Sequence, residues 1–182
     1  MSSAAFEAIA EAAAQQDVTL EFLAGKIGVK PVPDGDHGQI VMWLIRQCIL
    51  QRPDLSLFPE QGLRVEAYRT GNARPDGALA PAEYFAGKGE WADPSGVLMV
   101  VEVTSYDRDT DRRDREDKPR AYAESAIPVM LLVDRSNGTV VVHSNPERGR
   151  YRDTHTADYG ESIELPGLGI TLDTEILKAY AR

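Results

Sequence analysis

The sequence predicts a mixed α/β fold, α+β in arrangement: one mixed sheet with a central parallel β-α-β crossover, flanked by helices and opened by an N-terminal antiparallel hairpin. Three observations carry this. VLMVVEV (residues 97–103) and IPVMLLVD (127–134) are near-continuous apolar runs, the pattern of strands covered on both faces. Between them Asp114, Lys118 and Tyr122 recur at a spacing of four, which places a helix in the connection and makes it a right-handed parallel crossover. VTLEFLAGKIGVKPV (18–32) reads as two short strands turning at Ala24-Gly25-Lys26.

The remaining elements follow in chain order. Residues 3–16 are Ala-rich and helical, an extension ahead of the hairpin. Residues 34–38 (DGDHG) read as a loop, and IVMWLIRQCIL (40–50) as a mostly buried helix. LSLF (55–58), LRVEAYR (63–69) and PDGALA (75–80) are extended runs separated by Pro, Gly and Asn, and residues 81–96 form a polar surface loop. The central strands span 97–104 and 128–134. GTVVVHS (138–144) is the far arm of a hairpin, RYRDTHT (150–156) and ESIEL (161–165) are weaker strands, and DTEILKAY (173–180) is a short closing helix with an Asp cap. Pro119 interrupts the crossover helix, so that helix either starts near Lys118 or bends there.

A chain of 182 residues suits one domain over 1–182, with 1–16 as its helical extension. No window approaches the roughly 18 apolar residues of a membrane span, and the N-terminus lacks a basic flank followed by an apolar run, so a soluble, cytoplasmic protein with no membrane partner is expected. Cys48 is the single cysteine, which excludes an internal disulfide and a thiolate zinc cluster and makes it a packed core thiol. A formal net charge of -9 argues against coating nucleic acid by bulk electrostatics, so any polyanion must be met locally, by a metal or a basic patch.

Glu102 interrupts an apolar strand, where an ionised carboxylate costs several kcal/mol unless a cation or a set of donors meets it. It is therefore neutral, at the strand's end, or paired. Asp76 in Arg74-Pro75-Asp76 and Lys118 in the crossover helix join it as candidates. Metal-assisted attack on a phosphodiester needs hard oxygen ligands on rigid strands and a cation near the attacking water or the developing charge, and Asp, Glu and Lys supply these parts. Strand alternation puts Glu102 and Thr104 on one face, so the ligand set can draw on Glu102, the Val103 backbone carbonyl and the Thr104 side. Asp114 and Tyr122 share the helix face of Lys118, and His37 stands at the entrance of the preceding helix.

These residues carry a resemblance. The LEFLAG strand, Asp36-His37-Gly38 and its helix, Arg74-Pro75-Asp76, VVEVTS, then Thr110, Asp114, Lys118 and Tyr122, then IPVMLLVD resemble the Uma-type restriction endonuclease family, a branch of the PD-(D/E)XK nuclease superfamily. The resemblance covers residues 17–182, and its spaced core runs from 75 to 134. It implies a restriction-endonuclease-like fold and a Mg2+-dependent endonuclease, with Mn2+ able to substitute, acting on DNA as a homodimer. Asp76, Glu102 and the Val103 carbonyl would bind metal, and Lys118 would be the migrated catalytic lysine; Asp114, Tyr122, Thr104 and His37 would support them. The departure from the superfamily pattern is Thr104, where a lysine is usual.

Blander readings stand beside these. Pro75-Asp76 could open a turn, Glu102 could form a structural ion pair with an arginine, and His37 could cap or pack. Residues 107–120 hold six acidic and six basic side chains, so most of that stretch reads as a solvated, salt-linked face. A catalytically silent interaction module on the same fold is the alternative function. A nucleotide-binding protein ranks last, because no Gly-rich phosphate loop follows a predicted strand.

Overall fold

The fold was obtained as a computed structural model that describes residues 1–66, 70–104 and 112–180. Thr110, part of the family pattern above, lies outside the described residues.

Helix α1 (Ser3–Ala14) is capped by the Ser2 hydroxyl, which accepts from Ala5 N at 3.2 Å. Strands β1 (Thr19–Leu23) and β2 (Lys26–Lys30) form the expected hairpin, with Gly25 at φ +78° in its turn. They continue through β5 (Gly71–Ala73), β4 (Gly62–Val65) and β7 (Trp91–Ala92) into a five-stranded sheet ordered β2-β1-β5-β4-β7. Phe6 and Ala10 of α1 bury against its Leu20, Phe22 and Trp91, with the Phe6 and Phe22 rings stacked at 5.5 Å.

The second sheet has six strands in the order β11-β10-β9-β8-β6-β3, namely β3 (Leu55–Phe58), β6 (Gly77–Pro81), β8 (Met99–Val103), β9 (Val129–Asp134), β10 (Thr139–Glu147) and β11 (Arg150–Asp158). Its centre is the parallel pair β8 and β9, in register from Met99↔Val129 to Val103↔Val133. Both strands are buried on both faces, and alternation divides them. Met99, Val101, Val103, Val129, Leu131 and Val133 enter a core roofed by α2 (Gly35–Gln51), whereas Val100, Met130 and Leu132 enter a core with Ala121 and Tyr122 of α3 (Lys118–Glu124). Glu102 alternates with Val101 and Val103 and so faces α3, which decides its partners. Strands β12 (Ser162–Leu165) and β13 (Ile170–Asp173) form a separate hairpin tied to α2 by paired bonds of 2.9 Å between the Gln51 amide and the Thr171 backbone.

Several expectations are corrected. DGDHG is the first turn of α2 rather than a loop: the Asp34 carboxylate accepts from His37 N at 2.8 Å, and this cap outweighs the turn propensity of two glycines. That helix buries one stripe, Ile40, Leu44 and Cys48, and leaves Met42, Ile49 and Leu50 exposed. Residues 81–96 are not merely surface, since Phe85, Trp91 and Ala92 are buried and Trp91–Ala92 pairs in parallel with β4. The short strands β5 and β13 were not anticipated. The expected weak strand at 150–156 is a nine-residue arm paired with β10 from Arg150 to Asp158. The closing segment is a 3-10 turn, Glu175–Ala179, with the Asp173 carboxylate accepting from Glu175 N at 3.1 Å. Of the two readings Pro119 allowed, the structure shows the start: the α-helix begins at Lys118 with Pro119 in its first turn, and a π-helical turn, Arg113–Asp117, precedes it, with Lys118 N reaching Arg113 O.

Candidate metal centre at the seam of the two sheets

Asp76 lies where the chain leaves β5 in one sheet and enters β6 in the other. That position brings it against the end of β8, where Asp76 Oδ2 accepts from Val103 N at 2.7 Å and from His37 Nε2 at 3.0 Å. Its Oδ1 meets Lys30 Nζ at 2.8 Å. Burial works against this carboxylate, but Lys30 and His37 hold it well below the usual aspartate range.

Glu102 is met from the crossover helix. Lys118 Nζ donates to Glu102 Oε2 at 2.7 Å, and the Tyr122 hydroxyl donates to Oε1 at 2.5 Å. Lys118 Nζ also forms ion pairs with Asp114 Oδ1 at 3.1 Å and Glu21 Oε1 at 3.2 Å, in a site where it is 2% exposed. Burial pulls the ammonium down, but Asp114, Glu102 and Glu21 outweigh that and hold it well above the ordinary lysine value. Burial raises Glu102 and Asp114 against the pull of Lys118, helped at Glu102 by Asp114 and Asp76 and at Asp114 by Asp76 and Glu21. The Tyr122 phenol rises by burial and by the charge of Glu102.

Asp76, Glu102, Val103, Asp114, Lys118 and His37 thus line one cavity of about 50 Å³, room for a few waters or a small ion. Thr104 is buried beside it and acts on the backbone: its hydroxyl accepts from Arg135 N at 2.9 Å, tying the end of β8 to the end of β9. Arg135 lines the cavity and donates to Asp34, the cap of α2, at 2.9 Å.

Sequence reasoning missed Glu21 and Lys30. Glu21 sits on β1, 1% exposed, and accepts from Arg74 N at 2.8 Å besides its contact with Lys118. Arg113 reaches it at 3.6 Å across Gly28, where a Cβ would stand 2.0 Å from the guanidinium and displace it. Lys30 ends β2 and contacts Asp76, Glu60 and the Arg74 carbonyl. The signal for Glu21 was present: a charged residue at an apolar position of TLEFL, as in Glu102.

The donor set suits a hard divalent cation. Among the described residues, no group of three carboxylate, imidazole or thiolate side chains converges as a ready-made metal cage. Yet Glu21, Asp76, Glu102 and Asp114 are buried carboxylates whose buried ammonium partners are Lys30 and Lys118, with Arg113 at the rim. These four carboxylates outnumber the three cations, and burial first, then the neighbouring carboxylates, raises the Glu102 and Asp114 carboxyls. A divalent ion would relieve that excess through oxygen ligands alone.

A mixed sheet with a parallel crossover at its centre is a fold shared with a solved protein from Anabaena variabilis, described as "a putative nuclease belonging to DUF820". The two agree with a TM-score of 0.72 at 16% identity, covering 90% of this chain and 92% of that one. Residues 4–175 match the Uma2 family, described as "Putative restriction endonuclease", and the chain belongs to that family. No curated protein matches the sequence. Among the described residues, no helix is long and apolar enough to cross a membrane.

Proposed function

We propose that the protein is a divalent-metal-dependent endonuclease that hydrolyses phosphodiester bonds of DNA, with Mg2+ as its ion and Mn2+ as a substitute. The observation that carries this reading is the convergence of Asp76, Glu102 and Lys118, from a sheet-to-sheet bend, a central strand and a helix, on one cavity. Membership of the Uma2 family supports it.

Asp76, Glu102 and the Val103 carbonyl would hold the ion, which when bound would polarise the phosphate and make a water nucleophilic near neutral pH. Asp76 presents an ionised carboxylate because Lys30 and His37 favour its charged form. Glu102 is oriented by Lys118 and Tyr122. Lys118, held as an ammonium, supplies positive charge and keeps Glu102 in place. The site lies beneath the surface, in a cavity that Pro31, Val32 and Pro33 also line, so a strand would have to bring its phosphate into that cavity. Two copies would suit two strands, which makes a homodimer the expected working form.

One observation favours a silent interaction module instead: both oxygens of Asp76 and of Glu102 already meet protein donors. Incubating the wild type and Asp76→Ala with plasmid, linear duplex, single-stranded DNA and RNA under Mg2+ or Mn2+ separates the two. Cleavage by the wild type alone is the expected result; no cleavage together with no Mn2+ binding would establish the module.

A further inference from the structure

The seam carries two lysines, and they differ in what they could give a substrate. Lys118 faces three carboxylates, on Glu21, Glu102 and Asp114, all at most 3% exposed. Turning the proton it donates to Glu102 toward a phosphate would leave that buried carboxylate oxygen unmet, which is costly.

Lys30 is placed differently. Its Nζ contacts Asp76 Oδ1 at 2.8 Å, the Arg74 carbonyl at 2.7 Å and Glu60 Oε1 at 3.0 Å, and the Glu60 side chain is 44% exposed. Exposed ion pairs are worth little, so the proton facing Glu60 can be redirected cheaply. Lys30 also forms part of the wall between two spaces: it lines the inner cavity with Asp76 and Glu102, and an outer groove of about 230 Å³ with Thr19 and Glu60. A phosphate entering by the outer groove meets Lys30 before it meets Lys118. Glu60 itself is fixed for this exchange, since its backbone carbonyl accepts from Arg74 Nη1 at 2.9 Å while its carboxylate stays at the surface.

Resting on the nuclease reading above, we propose that Lys30 is the cation that contacts the substrate phosphate, with Glu60 as the counter-ion which that phosphate replaces. Thr104 leaves the lysine position of the superfamily pattern vacant, and Lys30, arriving from β2, delivers an ammonium to the partner carboxylate Asp76 from the other sheet.

The test compares plasmid cleavage by the wild type, Asp76→Ala, Lys30→Gln, Glu60→Gln and the Lys30→Gln/Glu60→Gln pair in Mg2+, over a range of salt, with Mn2+ titrated calorimetrically into each. Lys30→Gln should lose about 10²–10³ in kcat/KM, and the salt dependence should become shallower by about one charge. Glu60→Gln should raise kcat/KM a few-fold, and that gain should vanish in the double variant. Lys30→Gln should bind Mn2+ about tenfold more tightly, because a competing cation leaves Asp76. If Lys30→Gln cuts like the wild type with the same salt slope while Asp76→Ala is dead, the nuclease reading stands and the Lys30 assignment falls. Unchanged Mn2+ affinity in Lys30→Gln overturns the placement of Lys30 beside a metal-binding Asp76 whatever the activity. Should Lys30→Gln melt far below the wild type, Glu60→Gln decides: no gain in kcat/KM in that surface variant rejects the counter-ion role. A wild type that cuts no nucleic acid ends the nuclease reading and this proposal with it.

Discussion

Lys118 Nζ and Glu102 Oε2 meet at 2.7 Å across the crossover that joins the two central parallel strands, so the helix of the crossover is pinned to the strand that precedes it. The pair is one edge of a cage that also takes in Asp114 and Glu21. Removing the lysine would leave three carboxylates, none more than 3% exposed, without their shared cation.

Lys118→Met should therefore cost about 3–5 kcal/mol of stability in urea denaturation without divalent metal. Saturating Mn2+ should recover part of the loss, since an ion held at the proposed site would bind the folded state alone. A variant within about 1 kcal/mol of the wild type would mean that the cage carries no net stability.

Asp76→Asn keeps one acceptor for Val103 N and loses the charge that Lys30 and His37 face. Far-ultraviolet circular dichroism should be native-like, while Mn2+ affinity should fall by about 100-fold or more, because a hard cation depends on carboxylate charge. Wild-type Mn2+ affinity in this variant would remove Asp76 from the ligand set.

The parts of this architecture that a linear reading recovered are those whose cause is local. Strands β8 and β9 announce themselves because burial on both faces demands unbroken apolar runs, and Asp114, Lys118 and Tyr122 because one helix face repeats every fourth residue. Glu102 stood out as a charge inside such a run. Lys30 and Glu21 did not, because their meaning depends on β1 pairing with β5 through Phe22↔Asn72, a contact between distant segments that lays one sheet's edge against the other's carboxylates. Trp91–Ala92 escaped for a similar reason: a two-residue strand exists only because β4 is there to receive it. The π-helical turn before Pro119 resolves a choice the proline left open, and it aims Asp114 and Lys118 inward together.

Cys48 is fully buried in α2 among the core that roofs the central strands, and burial pushes its thiol up to about 12. A thiol held protonated and out of solvent reacts poorly with disulfide reagents. Labelling of the native protein by a thiol-reactive chromogen at pH 8 should run at the global unfolding rate and become immediate in 6 M guanidinium. Fast labelling under native conditions would show that α2 opens independently of the core.

Acid stability offers a test away from the candidate metal centre. Asp134 closes β9 and pairs with Arg115, while Asn137 donates to it through its backbone N at 3.0 Å and its side-chain amide at 2.8 Å. Burial opposes its charge, but Arg115 and Asn137 prevail and hold the carboxyl below the usual aspartate value. The sign follows from linkage: a carboxyl lowered by folding contributes stability that is fully present above its unfolded value of about 3.9 and is lost as pH falls through the folded value. The wild type should thus lose stability over Asp134→Asn as pH falls below about 4, so that the two converge in acid and differ by a constant amount from about pH 5 to 7. Urea midpoints at pH 3, 4, 5 and 7 read this directly. A difference between the two proteins that does not shrink between pH 5 and 3 would show that the Arg115 contact confers no charge-dependent stability at the end of β9.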